Sequence, residues 1–131
     1  MAIQVELKRI IITETSDQQV IYLKELTGTR SFPIVIGSSE AFAIDRRLKG
    51  QPTPRPQTHE LLAAVIEKLD AQLERILIND LQEHTFFARL VIRQNGKTIE
   101  IACRPSDAIA LGVAGNVPIF VADHVLEEVG T

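Results

Sequence analysis

Residues 104–111 read RPSDAIAL, and residues 39–44 read SEAFAI. Each segment places a serine and an acidic residue, Asp107 or Glu40, directly before small and apolar residues at helical spacing. Pro105 suits the first turn of a helix, because an N–H at that position would have no partner within the helix. We therefore predict that each segment begins a helix, with the acidic side chain in the first turn.

The sequence ahead of each predicted helix also repeats. LKRIII at 7–12 resembles LERILI at 73–78, at about the same offset as the two helices. Alternating and β-branched apolar residues predict three strands before each helix. These strands are expected at 3–13, 20–26, 32–36, 73–80, 85–93 and 97–103. Each half therefore reads strand, strand, strand, helix, over about 3–49 and 71–115. We interpret this order as an internal duplication that places the two acidic residues at equivalent positions.

A proline-rich segment and a further helix join the two halves. Residues 50–57, GQPTPRPQ, exclude a helix and favour extended backbone, because each proline removes an N–H and restricts the residue before it. Thr58 is typical of an N-cap, and Glu60 lies in the first turn of the helix predicted after it. The apolar residues of the helix after it are expected to form a buried stripe: Leu61, Leu62, Val65, Ile66 and Leu69. A short strand at 117–121 and a helix at 123–129 complete the prediction. The whole is expected to be one α+β domain over residues 1–131, with helices packed on a mixed or antiparallel sheet.

Composition and cysteine content indicate where such a domain works. Apolar residues make up 45% of the 131 residues but aromatic residues only 5%, so the core must be aliphatic. Cys103 is the single cysteine, which excludes an internal disulfide and favours a reducing compartment. No apolar run approaches the ~18 residues that a membrane span needs. We predict a cytoplasmic protein that does not bind membranes.

The basic residues are unevenly distributed along the chain. A net charge of −3 counts against a general nucleic-acid binder, which usually carries an excess of positive charge. Arg46, Arg47, Lys49 and Arg55 nevertheless follow one another with no acidic residue between them. These side chains, together with Arg104 near a helix start, could bind the phosphates of a nucleic acid. The alternative is a solvated face whose charge balances acidic residues elsewhere.

Short blocks along nearly the whole chain, from about residue 3 to 130, are similar to those of a known family. They are GTR (28–30), FPIVIG (32–37), EA (40–41), PRP (54–56), THELL (58–62), DL (80–81), TFFARL (85–90) and RPSDAIAL (104–111). In this order the blocks resemble the bifunctional nuclease family, above all through RPSDAIAL. The resemblance implies an α+β domain and a nuclease that acts on both DNA and RNA.

Glu40 and Asp107 are the candidate metal ligands. Hydrolysis of phosphodiester bonds commonly uses carboxylates to hold divalent ions, which polarise the phosphate and activate a water molecule. Oxygen ligands suit Mg²⁺ or Mn²⁺. Carboxylates at equivalent positions of two related halves could converge on one such site. The alternative is structural, since an acidic residue in the first turn of a helix is stabilised by the helix dipole and can cap free N–H groups.

His59 is the third candidate catalytic residue. It lies at the start of the helix that follows the proline-rich segment, within a block that resembles the family. An imidazole there could act as a general base or acid, or bind a phosphate. The alternative is an exposed first-turn residue with no part in catalysis.

These candidates support two hypotheses about function. The first is a metal-dependent nuclease with Asp107, Glu40 and His59 as catalytic residues. The second is a noncatalytic binding or scaffold module that assembles as an oligomer and carries a groove for a ligand or partner. Convergence of the three side chains in one cleft would favour the enzyme. Either protein is expected to be a homo-oligomer, a dimer or larger, because residues 32–36 read as an edge strand that must be paired or covered.

Overall fold

Seven strands form one mixed sheet in the computed structural model, which describes all of residues 1–131. The strands are β1 (Ala2–Ile11), β2 (Gln18–Glu25), β3 (Ser31–Gly37), β4 (Ala71–Gln82), β5 (Thr85–Gln94), β6 (Lys97–Cys103) and β7 (Ile119–Ala122). The helices are α1 (Ser38–Leu48), α2 (Thr58–Lys68), α3 (Pro105–Gly112) and α4 (Asp123–Val129). Every neighbouring pair of strands is antiparallel except β4 with β7. The predicted α+β class is confirmed.

Two antiparallel meanders, β1-β2-β3 and β4-β5-β6, form the two sides of the sheet, and β7 lies between them. The order across the sheet is β3-β2-β1-β7-β4-β5-β6, with β7 antiparallel to β1 and parallel to β4. α1 follows the first meander as α3 follows the second, so both halves share one order of elements. Glu40 and Asp107 lie in the first turns of these two helices. The duplication itself stays a prediction.

β3 occupies one edge of the sheet, in agreement with the proline at position 33. Phe32, Ile34 and Ile36 are buried in the core, whereas Val35 on the other face is 59% exposed. Proline has no N–H to donate to a ladder, and an edge strand tolerates this because no further strand pairs on its open side. β6 forms the opposite edge.

The sheet is strongly curved, and its two sides approach each other. The rings of Phe32 on β3 and Phe86 on β5 stack with 5.7 Å between their centroids, although four strands separate β3 from β5 in the sheet. Aliphatic side chains from both halves fill the interior: Ile21, Leu23, Ile44, Ile76, Ile78, Ile109 and Leu126. α1 and α3 pack against each other. Side chains from the first turns of both helices can therefore meet at one site.

α2 differs from its prediction in two respects. Gln57 rather than Thr58 is the N-cap, and its backbone N–H donates a hydrogen bond to Oε1 of Glu60 at 3.0 Å. The expected buried stripe is wrong, because no residue of α2 is buried. The helix packs mainly against α3 and β4 along one flank. Ala63 and Ile66 pack partly buried against the core. Leu61, Leu62 and Val65 remain exposed.

The segment after α3 also departs from expectation. The α-helix ends at Gly112 and continues as a 3₁₀ turn over Val113–Gly115. Asn116 then adopts a φ of 53°, a left-handed conformation that asparagine tolerates better than most residues and that ends the turn. β7 consequently begins two residues later than predicted. None of the four helices is long and apolar enough to cross a membrane.

Candidate active site

A cleft of about 840 Å³ lies between the first turns of α1 and α3, one side of α2, and the surface of β5 and β6. Polar side chains gather at one end of it: Glu40, Arg46, His59, Arg104 and Asp107. The other end is lined by aliphatic side chains of α2, β5 and β6. Clefts that combine an apolar lining with a few convergent polar groups are the usual form of ligand and substrate sites. All three catalytic candidates therefore lie in one cleft.

His59 and Asp107 form a hydrogen-bonded pair at the polar end. The first turn of α2 supplies His59 and the first turn of α3 supplies Asp107, and Nε2 lies 3.1 Å from Oδ1. Only 12% of the His59 side chain is exposed, against 34% for Asp107. When Nε2 carries the hydrogen, it donates a hydrogen bond to Oδ1 of Asp107, and Nδ1 is left as an acceptor. No protein group hydrogen-bonds to Nδ1. A carboxylate that fixes an imidazole in this way is the arrangement of a general base.

Arg104 connects Asp107 to the second carboxylate. Its Nε and Nη2 lie 3.0 and 2.8 Å from Oδ2 of Asp107, and Nη2 also lies 3.7 Å from Oε2 of Glu40. The hydrogen bond and the charge of Asp107 raise the pKa of Arg104. The Arg104 side chain is 65% exposed and its Nη1 makes no hydrogen bond. The guanidinium thus compensates two nearby carboxylates and retains donors for a ligand.

Neither acidic residue uses its carboxylate to cap its helix. Asp107 is bonded to His59 and Arg104, and no hydrogen bond joins either acidic residue to a backbone N–H. Gly37, the N-cap of α1, has an ordinary φ of −75°, so its backbone does not require glycine. A Cβ at this position would collide only with Oε1 of Glu40, the end of a flexible side chain that can turn aside. The carboxylates of Asp107 and Glu40 therefore both face Arg104 rather than the N–H groups of their own helices.

The donor set does not match that of a metal site in this arrangement. No group of three His, Cys, Asp or Glu side chains is placed to hold a metal ion. Both oxygens of Asp107 already accept hydrogen bonds, and Arg104 lies between Asp107 and Glu40. Mg²⁺ and Mn²⁺ require several oxygen ligands around one point. The expectation that Glu40 and Asp107 bind such an ion stays a prediction.

Glu60 joins two helices beside the His59–Asp107 pair. Its sequence context indicates only an acidic residue near the start of a helix. Its carboxylate accepts hydrogen bonds from Arg46 at 3.1 Å and from Arg47 at 2.6 Å, which join α2 to α1. Arg47 also donates to the carbonyl oxygen of Leu111 at 3.0 Å, near the end of α3. Glu60, Arg46 and Arg47, the Glu60 cluster, therefore hold together three helices next to His59.

The electrostatics of Glu60 reflect this position. Partial burial raises the pKa of its carboxyl, but hydrogen bonds from Arg47, from the Gln57 N–H and from Arg46 outweigh burial and bring the pKa from 4.5 to about 2. Glu60 is therefore ionised at every pH at which the protein is expected to work. No local sequence pattern identifies Arg47 and Arg46 as partners of Glu60, because they lie 13 and 14 positions before it in the chain.

The remaining basic candidates are distributed differently. Arg46 lines the cleft but is bonded to Glu60, and Arg47 would have to leave both Glu60 and Leu111 to meet a phosphate. Arg55 is exposed in the proline-rich loop and does not line the cleft. Binding of phosphate by these three residues stays a prediction. Arg104 is the one candidate whose guanidinium is both in the cleft and largely exposed.

Cys103 also lines the cleft but is a poor nucleophile. Burial, followed by the negative charge of Asp107, raises the pKa of its thiol from 9.0 to about 11. The thiol is therefore protonated near neutral pH, and the thiolate is the reactive form of cysteine. Reaction at this cleft must use other groups.

Comparison with known proteins identifies the family. A sequence model described as "Bifunctional nuclease domain" matches residues 20–131, a range that contains every polar residue of the cleft. The chain belongs to the bifunctional nuclease domain family. The resemblance drawn from short sequence blocks is confirmed.

Individual relatives of this bifunctional nuclease domain extend the comparison. Two uncharacterised proteins, from two strains of Mycobacterium tuberculosis, are 39% identical to it over 127 residues, which is 97% of this chain and 76% of theirs. A protein of Oryza sativa subsp. japonica named "Bifunctional nuclease 2" is 25% identical over 114 residues. That match covers 84% of this chain but 35% of the rice protein. The domain therefore recurs within chains that are longer than this one.

Proposed function

We propose that the protein is a nuclease that hydrolyses phosphodiester bonds in DNA and RNA, with His59 as general base. The observation that carries the proposal is the chain of contacts His59–Asp107–Arg104–Glu40 at one end of the cleft. Membership of the family and the name of the rice relative support the same reaction class. The family name alone would not assign roles to residues, because function depends on the site and not on the fold.

The proposed reaction assigns one role to each of these side chains. Nδ1 of His59 takes a proton from water as the water oxygen attacks phosphorus, and the departing sugar oxygen takes up a proton from solvent. Asp107 holds the ring in place and stabilises the imidazolium that forms. Arg104 donates hydrogen bonds to the phosphate as negative charge accumulates on its oxygens. Glu40 keeps Arg104 oriented towards the cleft.

Dependence on Mg²⁺ or Mn²⁺ is an alternative form of the proposal, because Glu40 and Asp107 cannot hold Arg104 between them and an ion at the same time. Glu40 and Asp107 would hold the ion, and Arg104 would have to move from between them. A bound ion would supply a Lewis acid next to the phosphate.

Homo-oligomerisation and a cytoplasmic location are proposed as well. The location rests on the lone cysteine.

A noncatalytic binding module is the second candidate, and the aliphatic end of the cleft favours it. No aromatic side chain lines that cleft, whereas proteins that bind single-stranded nucleic acid commonly stack bases on aromatic rings. A groove of this kind suits an apolar ligand or partner better than a phosphodiester chain. In that case the polar end of the cleft would fix the orientation of a bound ligand and would not catalyse a reaction of that ligand.

A nuclease assay separates the two candidates. The substrates are labelled single-stranded DNA and RNA oligonucleotides, and the protein is assayed with Mg²⁺, with Mn²⁺ and with EDTA. We expect cleavage that co-elutes with the protein and disappears in His59→Gln. Equal cleavage by wild type and His59→Gln would reveal a contaminant and favour the binding module. Activity that survives EDTA would remove the metal from the proposal and keep His59 and Arg104.

A further inference from the structure

The aliphatic end of the cleft continues onto an open surface, here called the α2–β6 face. It comprises six large side chains from α2, its C-cap residue and β6: Leu61, Leu62, Val65, Leu69, Ile99 and Ile101. Each of them is between 38% and 61% exposed. β6 is an edge strand, so the backbone groups on its open side have no partner within the sheet. Apolar side chains and unpaired strand backbone therefore border the same region.

Nothing within residues 1–131 covers this face. α2 packs mainly against α3 and β4, and β6 pairs only with β5. An exposed edge strand with apolar neighbours is a site of unwanted association unless it is covered. Isolated exposed apolar residues are ordinary on protein surfaces, but a contiguous patch of this size marks an interaction site.

We propose that the α2–β6 face binds a second copy of this chain. The exposed fractions of the six side chains amount to roughly 500 Å² of apolar surface, at the upper end of the range for monomers. One protomer in a dimer of ordinary size contributes about 800 Å² of surface, of which roughly 60% is apolar. The α2–β6 face therefore supplies nearly all the apolar surface that a stable dimer needs.

The shape of the face fits a symmetric partner. One wall of the cleft is formed by α2 and its C-cap, through Leu62, Val65, Ile66 and Leu69. Leu61 lies outside the cleft and is 58% exposed. Leu61 lies one turn before Val65, which lines the groove, so Leu61 forms a ridge on α2 at the rim of the groove. A ridge and a groove on one face allow two copies to exchange them about a twofold axis, which makes the contact self-complementary and closed.

A small apolar ligand would explain less of the surface. A molecule confined to the cleft would contact the five side chains of the face that line it, but it would leave Leu61 exposed, because Leu61 does not line the cleft. The edge of β3 is a weaker interface, since Val35 is the only large apolar side chain of that strand that is exposed. A second copy on the α2–β6 face covers all six side chains and leaves the polar end of the cleft at the border of the interface.

The test compares three side chains of nearly equal exposure. Leu61 and Leu69 on the face are 58% and 61% exposed, and Val35 on the β3 edge is 59% exposed. Light scattering on a size-exclusion column at micromolar concentration should give a dimer mass for wild type and for Val35→Lys. The double variant with Leu61→Lys and Leu69→Lys should give a monomer mass with an unchanged circular dichroism spectrum. A monomeric wild type overturns the proposal, as does a double variant that remains a dimer.

A measurement without any substitution covers the case in which the double variant fails to fold. Hydrogen exchange of wild type, followed by mass spectrometry over a dilution series, should show protection of residues 58–69 and 97–103 that falls severalfold on dilution. Concentration-dependent protection at residues 31–37 instead would move the interface to β3 and overturn the proposal. Native mass spectrometry that finds a monomer carrying a small apolar molecule would overturn it in favour of a ligand.

Discussion

His59 meets Asp107 at 3.1 Å inside the cleft, and His124 meets Asp80 at 3.3 Å on the outer surface. The two aspartates are exposed almost equally, at 34% and 35%, but the histidines differ: His59 is 12% exposed and His124 is 63% exposed. Both pairs join residues more than 40 positions apart. The fold therefore brings both pairs together, but it shields only the His59–Asp107 pair from solvent.

The partners of each aspartate differ as well. Arg104 holds the second oxygen of Asp107. Asp80 instead accepts hydrogen bonds from the Gln82 side chain and from the backbone N–H of Leu81. These two hydrogen bonds, and after them the one from His124, lower the pKa of Asp80. A local network of that kind stabilises a turn of backbone, and an exposed ion pair contributes little to stability. Identical residue types thus support catalysis only where other elements restrict the imidazole and supply a charged partner.

The largest expected effect comes from removing one charge from each pair. Asp107→Asn should lower the rate of hydrolysis on the order of 100-fold or more, because the imidazole loses the group that fixes its tautomer and stabilises its positive form. Asp80→Asn should leave the rate within about twofold. Initial rates on one oligonucleotide and melting temperatures, measured on the same preparations, decide the comparison. Equal rates for the two variants would remove Asp107 from the mechanism.

Arginine substitutions extend the comparison to the phosphate contact. Arg104→Gln should reduce kcat/KM on the order of 10- to 100-fold, since it removes the charged donor next to Asp107. Arg89, which pairs with Glu100 on the surface at 2.8 Å, provides the matched control. Arg89→Gln should leave kcat/KM unchanged. If both arginine variants lose activity alike, general electrostatic attraction of the nucleic acid accounts for the loss and the role of Arg104 is contradicted.

Glu60 provides a test of how the cleft histidine is held. Glu60→Gln should lower the melting temperature by a few degrees and the rate per folded molecule by roughly tenfold or less, because Arg46 and Arg47 lose the charge that joins the helices next to His59. Glu74, which forms a solvent-exposed ion pair with Arg93, is the control. Glu74→Gln should shift the melting temperature by about a degree or less. A normal melting temperature for Glu60→Gln would show that the Glu60 cluster does not hold the helices.

The same carboxylate predicts a stability change in acid. The pKa of Glu60 in the folded protein is about 2, below its usual 4.5, so the folded state binds its proton less readily than the unfolded state does. Its contribution to stability is therefore complete above pH 4.5 and disappears as the pH falls towards 2. Urea unfolding at pH 6, 4 and 3 should show wild type and Glu60→Gln converging as the pH decreases. A constant difference between them across this range would contradict the assignment.

The smallest expected effect concerns the thiol in the cleft. Cys103 should react slowly with iodoacetamide at pH 8, because its pKa is raised to about 11. Cys103→Ala should retain activity within about twofold. Rapid alkylation at pH 8, accompanied by loss of activity, would contradict the protonated state of the thiol and bring it into the mechanism.

Local patterns in the sequence were sufficient for most of the fold. Alternation identified the strands of both meanders, Pro33 indicated an edge, and Pro105 marked the start of α3. The candidate site was predicted less completely. The block around Asp107 and the one around His59 were both singled out, but nothing local shows that residues 48 positions apart touch.

Long-range packing accounts for what the sequence did not reveal. The helical spacing of α2 correctly predicted an apolar stripe, but spacing cannot tell whether the body of the same chain covers that stripe. Leu61 and Leu69 are more exposed than buried for this reason. Glu60 looked like an ordinary first-turn acid, because its arginine partners come from a different helix.

The placement of β7 has a consequence for how the chain is made. Residues 119–122 emerge from the ribosome more than 100 positions after residues 2–5, yet they form the central strand that pairs with those residues and with β4. Each meander can close its own hairpins as it appears, whereas the seam between the two halves has to wait until β7 has been synthesised. Until then, β1 and β4 each expose an unpaired edge rich in aliphatic residues. The four residues of β7 thus determine whether two separate meanders become one sheet, and a ribosome that stalls before them would release a chain with two open edges.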